Sequence, residues 1–128
     1  MMKGGNTLYE VLFYETSRGE SPVYDYLKEL EEKQQTNKNA RIELSQILLY
    51  IELLQRNGTN NNANVTKRID ENLWELRPGS NRILYFYNDG KTFILLHLFR
   101  KKTQKTPIRE INKAKNEITD YLKRRTKL

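Results

Sequence analysis

Residues 73–107 read LWELRPGSNRILYFYNDGKTFILLHLFRKKTQKTP, and the punctuation of this stretch decides the fold. Leu73–Arg77, Arg82–Tyr87 and Thr92–Phe99 are runs of aliphatic and aromatic residues and predict three strands. Pro78-Gly79-Ser80 separates the first two strands, and Asn88-Asp89-Gly90 separates the second from the third. An Asp-Gly pair supplies the positive φ angles that a tight hairpin needs. Strands joined by turns this short are antiparallel neighbours. The third run is apolar on both faces, the pattern of a strand buried in the middle of a sheet.

Upstream, Leu8–Tyr14 (LYEVLFY) predicts a further strand. Ser21-Pro22 places an N-cap before a proline at the first helical position. Val23, Tyr26, Leu27 and Leu30 follow at helical spacing, as far as Glu31-Glu32-Lys33. A polar link (QQTNKN) leads to a second helix over Asn39–Asn57, with Leu44, Ile47, Leu48, Ile51 and Leu54 as its stripe and Gly58 as its C-terminal cap. The short link predicts an αα-hairpin. Gly58–Asn64 is a polar loop, and Val65–Asn72 carries no decisive pattern.

Downstream, the basic link Arg100–Lys105 leads to Thr106-Pro107, again a cap followed by proline. A helix follows with the stripe Ile108, Ile111, Ala114, Ile118, Tyr121 and Leu122. The order β-α-α-β-β-β-α predicts an α+β fold: a small antiparallel meander sheet with a helical hairpin and a C-terminal helix. The 128 residues show neither repeat nor boundary, so residues 1–128 are expected to form a single domain.

The composition removes whole classes of chemistry. With no cysteine, disulfides, thiolate zinc sites and cysteine nucleophiles are excluded. The single histidine, His97, excludes a His-rich metal site and a His–His acid/base pair. No pair of carboxylates stands out as a metal site, so neither metal nor cofactor is expected. No run approaches the roughly 20 apolar residues of a membrane-spanning helix. The opening MMKGGNTLYEVLFYE turns acidic too soon for a signal peptide. A cytoplasmic protein without a membrane partner is expected.

The net charge is +7, and it is unevenly placed. Residues 1–99 carry 12 basic and 13 acidic groups, whereas residues 100–128 carry 11 basic and 3 acidic ones. Such an asymmetry points to a polyanionic partner, with a solvated, solubilising tail helix as the plainer alternative. The meander adds geometry. If the first strand ends at the top of the sheet with Arg77, the second begins there with Arg82. The third then delivers Lys101 and Lys102 to the same end, followed by Lys105 and a helix N-terminus. Groups from distant positions would thus gather where a phosphate could be held. The competing expectation is that Arg77 and Arg82 are consumed by ion pairs with Glu75 and its neighbours.

These segments carry a family signature. LWELRPGSNRILYF, then LLHLFRKKTQKTP, then an amphipathic helix rich in Lys and Arg, resemble the HigB branch of the RelE toxin superfamily. In looser form the resemblance runs from Leu8 to about Leu122. It implies a toxin of a type II toxin–antitoxin pair: a ribosome-dependent, metal-independent endoribonuclease that cuts translated mRNA. It also implies neutralisation by a helix-turn-helix antitoxin of the HigA type, in a complex expected to be a heterotetramer. The implied fold is a small twisted sheet with helices against one face. The implied site residues are Arg77, Arg82, Lys101, Lys102 and Lys105. Two departures matter. Glu75 stands where some relatives place a lysine, and Pro107-Ile108 stands where they place a late tyrosine, so their acid/base assignments do not transfer.

RNA cleavage through the ribose 2′-OH needs a proton acceptor, cations for the phosphate and a donor for the leaving 5′-oxygen. Arginine holds its proton throughout, so Arg77 and Arg82 suit charge stabilisation. Lysine transfers a proton readily only where other cations crowd it, as at Lys101, Lys102 and Lys105. Glu75, on the same strand face as Arg77, is the other candidate acceptor. Lys67, Arg68, Arg100 and Lys113 are expected to bind RNA, together with the helix end at Lys123–Lys127. His97, between Leu96 and Leu98, is expected to be buried and hydrogen-bonded, and Trp74 to be core. Tyr85 and Tyr87 share a face and could stack on a base or pack inside. Two other functions fit the residues: a non-catalytic nucleic-acid-binding module, and a ParE-like gyrase poison on the same fold.

Overall fold

A computed structural model describes residues 8–125; Lys127 and the first seven residues lie outside the described part. The elements, in chain order, are β1 (Glu10–Phe13), α1 (Pro22–Lys33), α2 (Lys38–Asn57), β2 (Thr66–Arg68), β3 (Leu73–Leu76), β4 (Asn81–Asn88), β5 (Thr92–Arg100) and α3 (Ile108–Arg125). The fold is α+β, as the residue pattern predicts. The five strands form one sheet in the order β1-β5-β4-β3-β2. β2 to β5 make an antiparallel meander, and β1 pairs parallel to β5. The ambiguous segment before Leu73 supplies β2, which is short enough to escape a periodicity reading.

Local chemistry accounts for the joints. Asp89 and Gly90 both adopt positive φ, 52° and 79°, and close the β4–β5 hairpin. Asn37 caps α2, accepting from the Ala40 amide. Ser21 starts α1 differently. Its hydroxyl donates to the Tyr14 carbonyl, while Asp25 accepts from the Ser21 amide. At the end of α2, Gly58 sits at φ 61°, where a Cβ would come within 2.7 Å of the Tyr9 ring.

The sheet is covered on both faces, not on one as the family resemblance implied. The α1–α2 hairpin packs Val23, Leu30, Leu44, Ile47, Ile51 and Leu54 onto Leu76, Ile83, Tyr85, Phe93 and Leu95. α3 packs Ala114, with Ile111, Ile118 and Tyr121, onto Leu73, Leu84, Phe86, Ile94 and Leu96. This explains why β5 is apolar on both sides. Three stripe residues fall outside these cores. Leu48 is 50% exposed, Ile108 73% and Leu122 40%. Leu48 lies at the edge of an arc already filled by Ile47, Ile51 and Leu54. Ile108 lies at the first position of α3, before the core residues Ile111 and Ala114. Trp74 is partly buried against the hairpin-side core, and Tyr85 is fully buried with its hydroxyl beside Thr66 Oγ1 at 2.7 Å. Tyr87 stacks on Phe93 at 4.7 Å between centroids. Among the described residues, no helix is long and apolar enough to cross a membrane.

Candidate functional site

Strand register builds the site. Glu75 and His97 both stand opposite Leu84, and Arg82 stands opposite Phe99. Leu84 belongs to the core beneath α3, so Glu75, Arg82, His97 and Phe99 all project from the α3 face. Arg77, two residues beyond Glu75, shares that face. Backbone pairing brings the link alongside, since the Lys101 amide donates to the Ser80 carbonyl at 2.8 Å. Glu75, Arg82, Lys101, Lys102 and Lys105 therefore line one crevice, together with Phe99 and Thr106.

Inside the crevice the charges are already organised. Glu75 is 4% exposed and Arg82 7%. Glu75 Oε2 lies 3.4 Å from Arg77 Nε and 3.6 Å from Arg82 Nε. Glu75 Oε1 accepts from the Thr106 hydroxyl at 2.5 Å. Arg82 also donates to the Gly79 and Asn81 carbonyls, each at 2.8 Å, and Arg77 to the Ala63 carbonyl at 2.9 Å. Burial lowers the Arg82 pKa from the usual arginine value, and Glu75 opposes that shift. The expected ion pairs thus form, and they form at the same place as the expected cation cluster. The crevice holds about 10 Å³, room for little more than a water molecule. An RNA phosphate would have to rest at its mouth, where Lys101, Lys102 and Lys105 are exposed.

The remaining candidates are more dispersed. Lys67 is the register partner of Glu75 and lies at the sheet's β2 edge. Arg68 stands opposite Trp74 on the hairpin side and donates to the Asp70 carbonyl at 2.9 Å. Arg100 turns toward Glu43 of α2, 3.9 Å away. Lys113 lines a separate hollow with Tyr14, Asn116 and Glu117.

Residues 25–119 match the family described as Phage derived protein Gp49-like (DUF891). The chain belongs to this family. Gp49-like proteins fall within the RelE/HigB-like toxin superfamily, which makes this a toxin-like chain. A search of curated proteins finds no match. The matched span takes in β2 to β5, the basic link and most of α3, so it contains every residue of the crevice.

Three features of this Gp49-like site escape sequence reasoning. Thr106 does not cap α3; it faces Glu75, and the Pro107 carbonyl accepts the first helical hydrogen bonds. His97 is buried as expected, but its partners are two carboxylates of α3. Nδ1 lies 2.6 Å from Glu117 Oε1 and Nε2 lies 2.9 Å from Glu110 Oε1. Glu110 and Glu117 stand seven positions apart, two turns on one helix face, and that spacing was the available signal. The third feature is a wider groove beside the crevice, about 650 Å³, between the link and the first turn of α3. Among the described residues, no group of three His, Asp or Glu side chains is placed to hold a metal ion.

Proposed function

We propose that the protein is the toxin of a type II toxin–antitoxin pair and cuts mRNA on the ribosome without a metal ion. The observation that carries this reading is the gathering of Lys101, Lys102 and Lys105 at the mouth of a crevice floored by the Arg82–Glu75–Arg77 network. Three exposed cations over a fixed guanidinium suit a phosphate that gains negative charge as the 2′-oxygen attacks. Glu75 has both oxygens engaged, so it organises the arginines, and proton transfer falls to the lysines. The products are a 2′,3′-cyclic phosphate and a 5′-hydroxyl. Lys67 and Lys113 extend the basic surface along the RNA. A HigA-type helix-turn-helix antitoxin restrains the enzyme in a heterotetramer in the cytoplasm.

Induction of the chain in cells tests the reading. Protein synthesis stops before DNA replication if mRNA is the target; the reverse order identifies a gyrase poison. One observation favours a second reading. Arg82 is largely consumed by internal partners, as suits a nucleic-acid-binding module that does not cut. RNA bound but left intact in a single-turnover assay identifies that module.

A further inference from the structure

The groove beside the crevice holds side chains that the proposed cleavage does not use. Ile108 is 73% exposed at the start of α3. With half-buried Phe99 and Pro107 it gives the groove an apolar wall. Lys102, Lys105 and Arg109 form a cationic rim. Glu110 also lines the groove and is held there. His97, itself 1% exposed, binds Glu110 Oε1 on one side and Glu117 on the other. Arg109, itself solvent-exposed, lies 3.8 Å from the second oxygen of Glu110, Oε2. The groove therefore combines an apolar wall, a carboxylate held by His97 and several cations. Its volume, about 650 Å³, is that of a small-ligand site. It is continuous with the crevice through Lys102, Lys105 and Thr106.

We infer that this groove receives the base of a nucleotide flanking the cut, and that Glu110 selects bases carrying an exocyclic amino group. The inference rests on the ribonuclease reading and adds a specificity residue to it. A base stacks on Phe99 and Ile108 as bases do on the platforms of single-strand binders. Adenine, cytosine and guanine each present an amino group that a carboxylate oxygen accepts. Uracil presents one N–H between two carbonyl oxygens, which repel a carboxylate. The rim cations hold the adjoining phosphate and pass it to the lysines at the crevice mouth.

The test is single-turnover cleavage on ribosomes carrying mRNAs that differ only in the nucleotides flanking the cut. The wild-type chain, Glu110→Gln and Ile108→Ala are compared, with melting curves for each. The wild type is expected to cut uracil-containing sites at least about tenfold more slowly than the others. Glu110→Gln is expected to bring that ratio within about threefold, because an amide can donate to a uracil carbonyl. A ratio of rates is insensitive to a general loss of stability. Ile108→Ala, at an exposed position, is expected to slow cleavage at every base about tenfold while melting as the wild type does. Wild-type cutting at equal rates on all bases overturns this inference and leaves the ribonuclease reading standing. So does a preference that Glu110→Gln leaves unchanged. A wild type that cuts nothing overturns both.

Discussion

Thr106 donates a hydrogen bond from its hydroxyl to Glu75, 31 positions earlier, across 2.5 Å. This contact ties the start of α3 to β3, whose Glu75 faces both Arg77 and Arg82. Glu75→Ala removes the partner of Arg82, which is 7% exposed, and a buried charge left without its partner costs about 3–5 kcal/mol. Thr106→Val removes one hydrogen bond to a charged group, worth about 1.5–3 kcal/mol. Urea denaturation of both variants is expected to rank them in that order. Equal stability of Glu75→Ala and wild type would show that the network does not hold the sheet end together.

His97 joins β5 to two turns of α3 through Glu110 and Glu117. His97→Leu leaves two largely buried carboxylates without their common partner. A loss of about 3–5 kcal/mol is expected in urea denaturation, with faster amide exchange in the first turns of α3. An unchanged exchange rate there would mean that Ile111, Ala114 and Ile118 fix the helix without the histidine.

Two phenols report burial through pH. Burial first, and then Asp120, push Tyr14 up to about 12; burial first, and then Glu43, push Tyr26 up to about 12. Each holds its proton more tightly folded than unfolded, where the value is 10.0. Their contribution to stability is whole below pH 10 and is lost as pH climbs towards 12. Asp120 moves the other way, held down by the Tyr14 hydroxyl and then by Arg124. Its contribution is present above about pH 4 and is lost as pH falls through the folded value. Burial raises Tyr85 and Tyr87 as well, so ultraviolet titration is expected to show several late phenols, one fewer near pH 12 in Tyr14→Phe and one fewer in Tyr26→Phe. Ionisation of Tyr14 and Tyr26 near pH 10 would contradict the buried positions.

The helical stripe gives a contrast between neighbours. Ile47 is fully buried and Leu48 is 50% exposed. Ile47→Ala is expected to cost about 2–5 kcal/mol, and Leu48→Ala to stay within about 0.5 kcal/mol. Thermal melts of the two variants check this directly.

Much of the fold was legible because turns and caps act locally. Asp89-Gly90 announces its hairpin, Gly58 ends α2, and β5 is apolar on both faces because both faces are covered; the cap Asn37 goes unread inside the polar link. What stayed hidden depends on tertiary contact. Leu48, Ile108 and Leu122 satisfy a helical period without meeting a core. Thr106 has the residue type of a cap, yet α3 begins at Ile108, one position too late for it to cap, and its hydroxyl donates to Glu75. The gathering of cations at one end of the sheet followed from strand direction alone. Their division into a buried, paired floor and an exposed rim did not, because it depends on how closely α3 approaches the sheet. The spacing of Glu110 and Glu117 puts them on one helix face, but only the fold places that face against His97.

The account turns on the exposed lysines acting on an RNA phosphate. The most direct measurement is single-turnover cleavage of mRNA on ribosomes by the wild type and by Lys101→Ala, Lys102→Ala and Lys105→Ala. The account predicts wild-type cutting to a 2′,3′-cyclic phosphate. It also predicts a fall of about 100–1,000-fold for at least one lysine variant, with melting temperatures unchanged. Full cutting by all three variants, or none by the wild type, would contradict it.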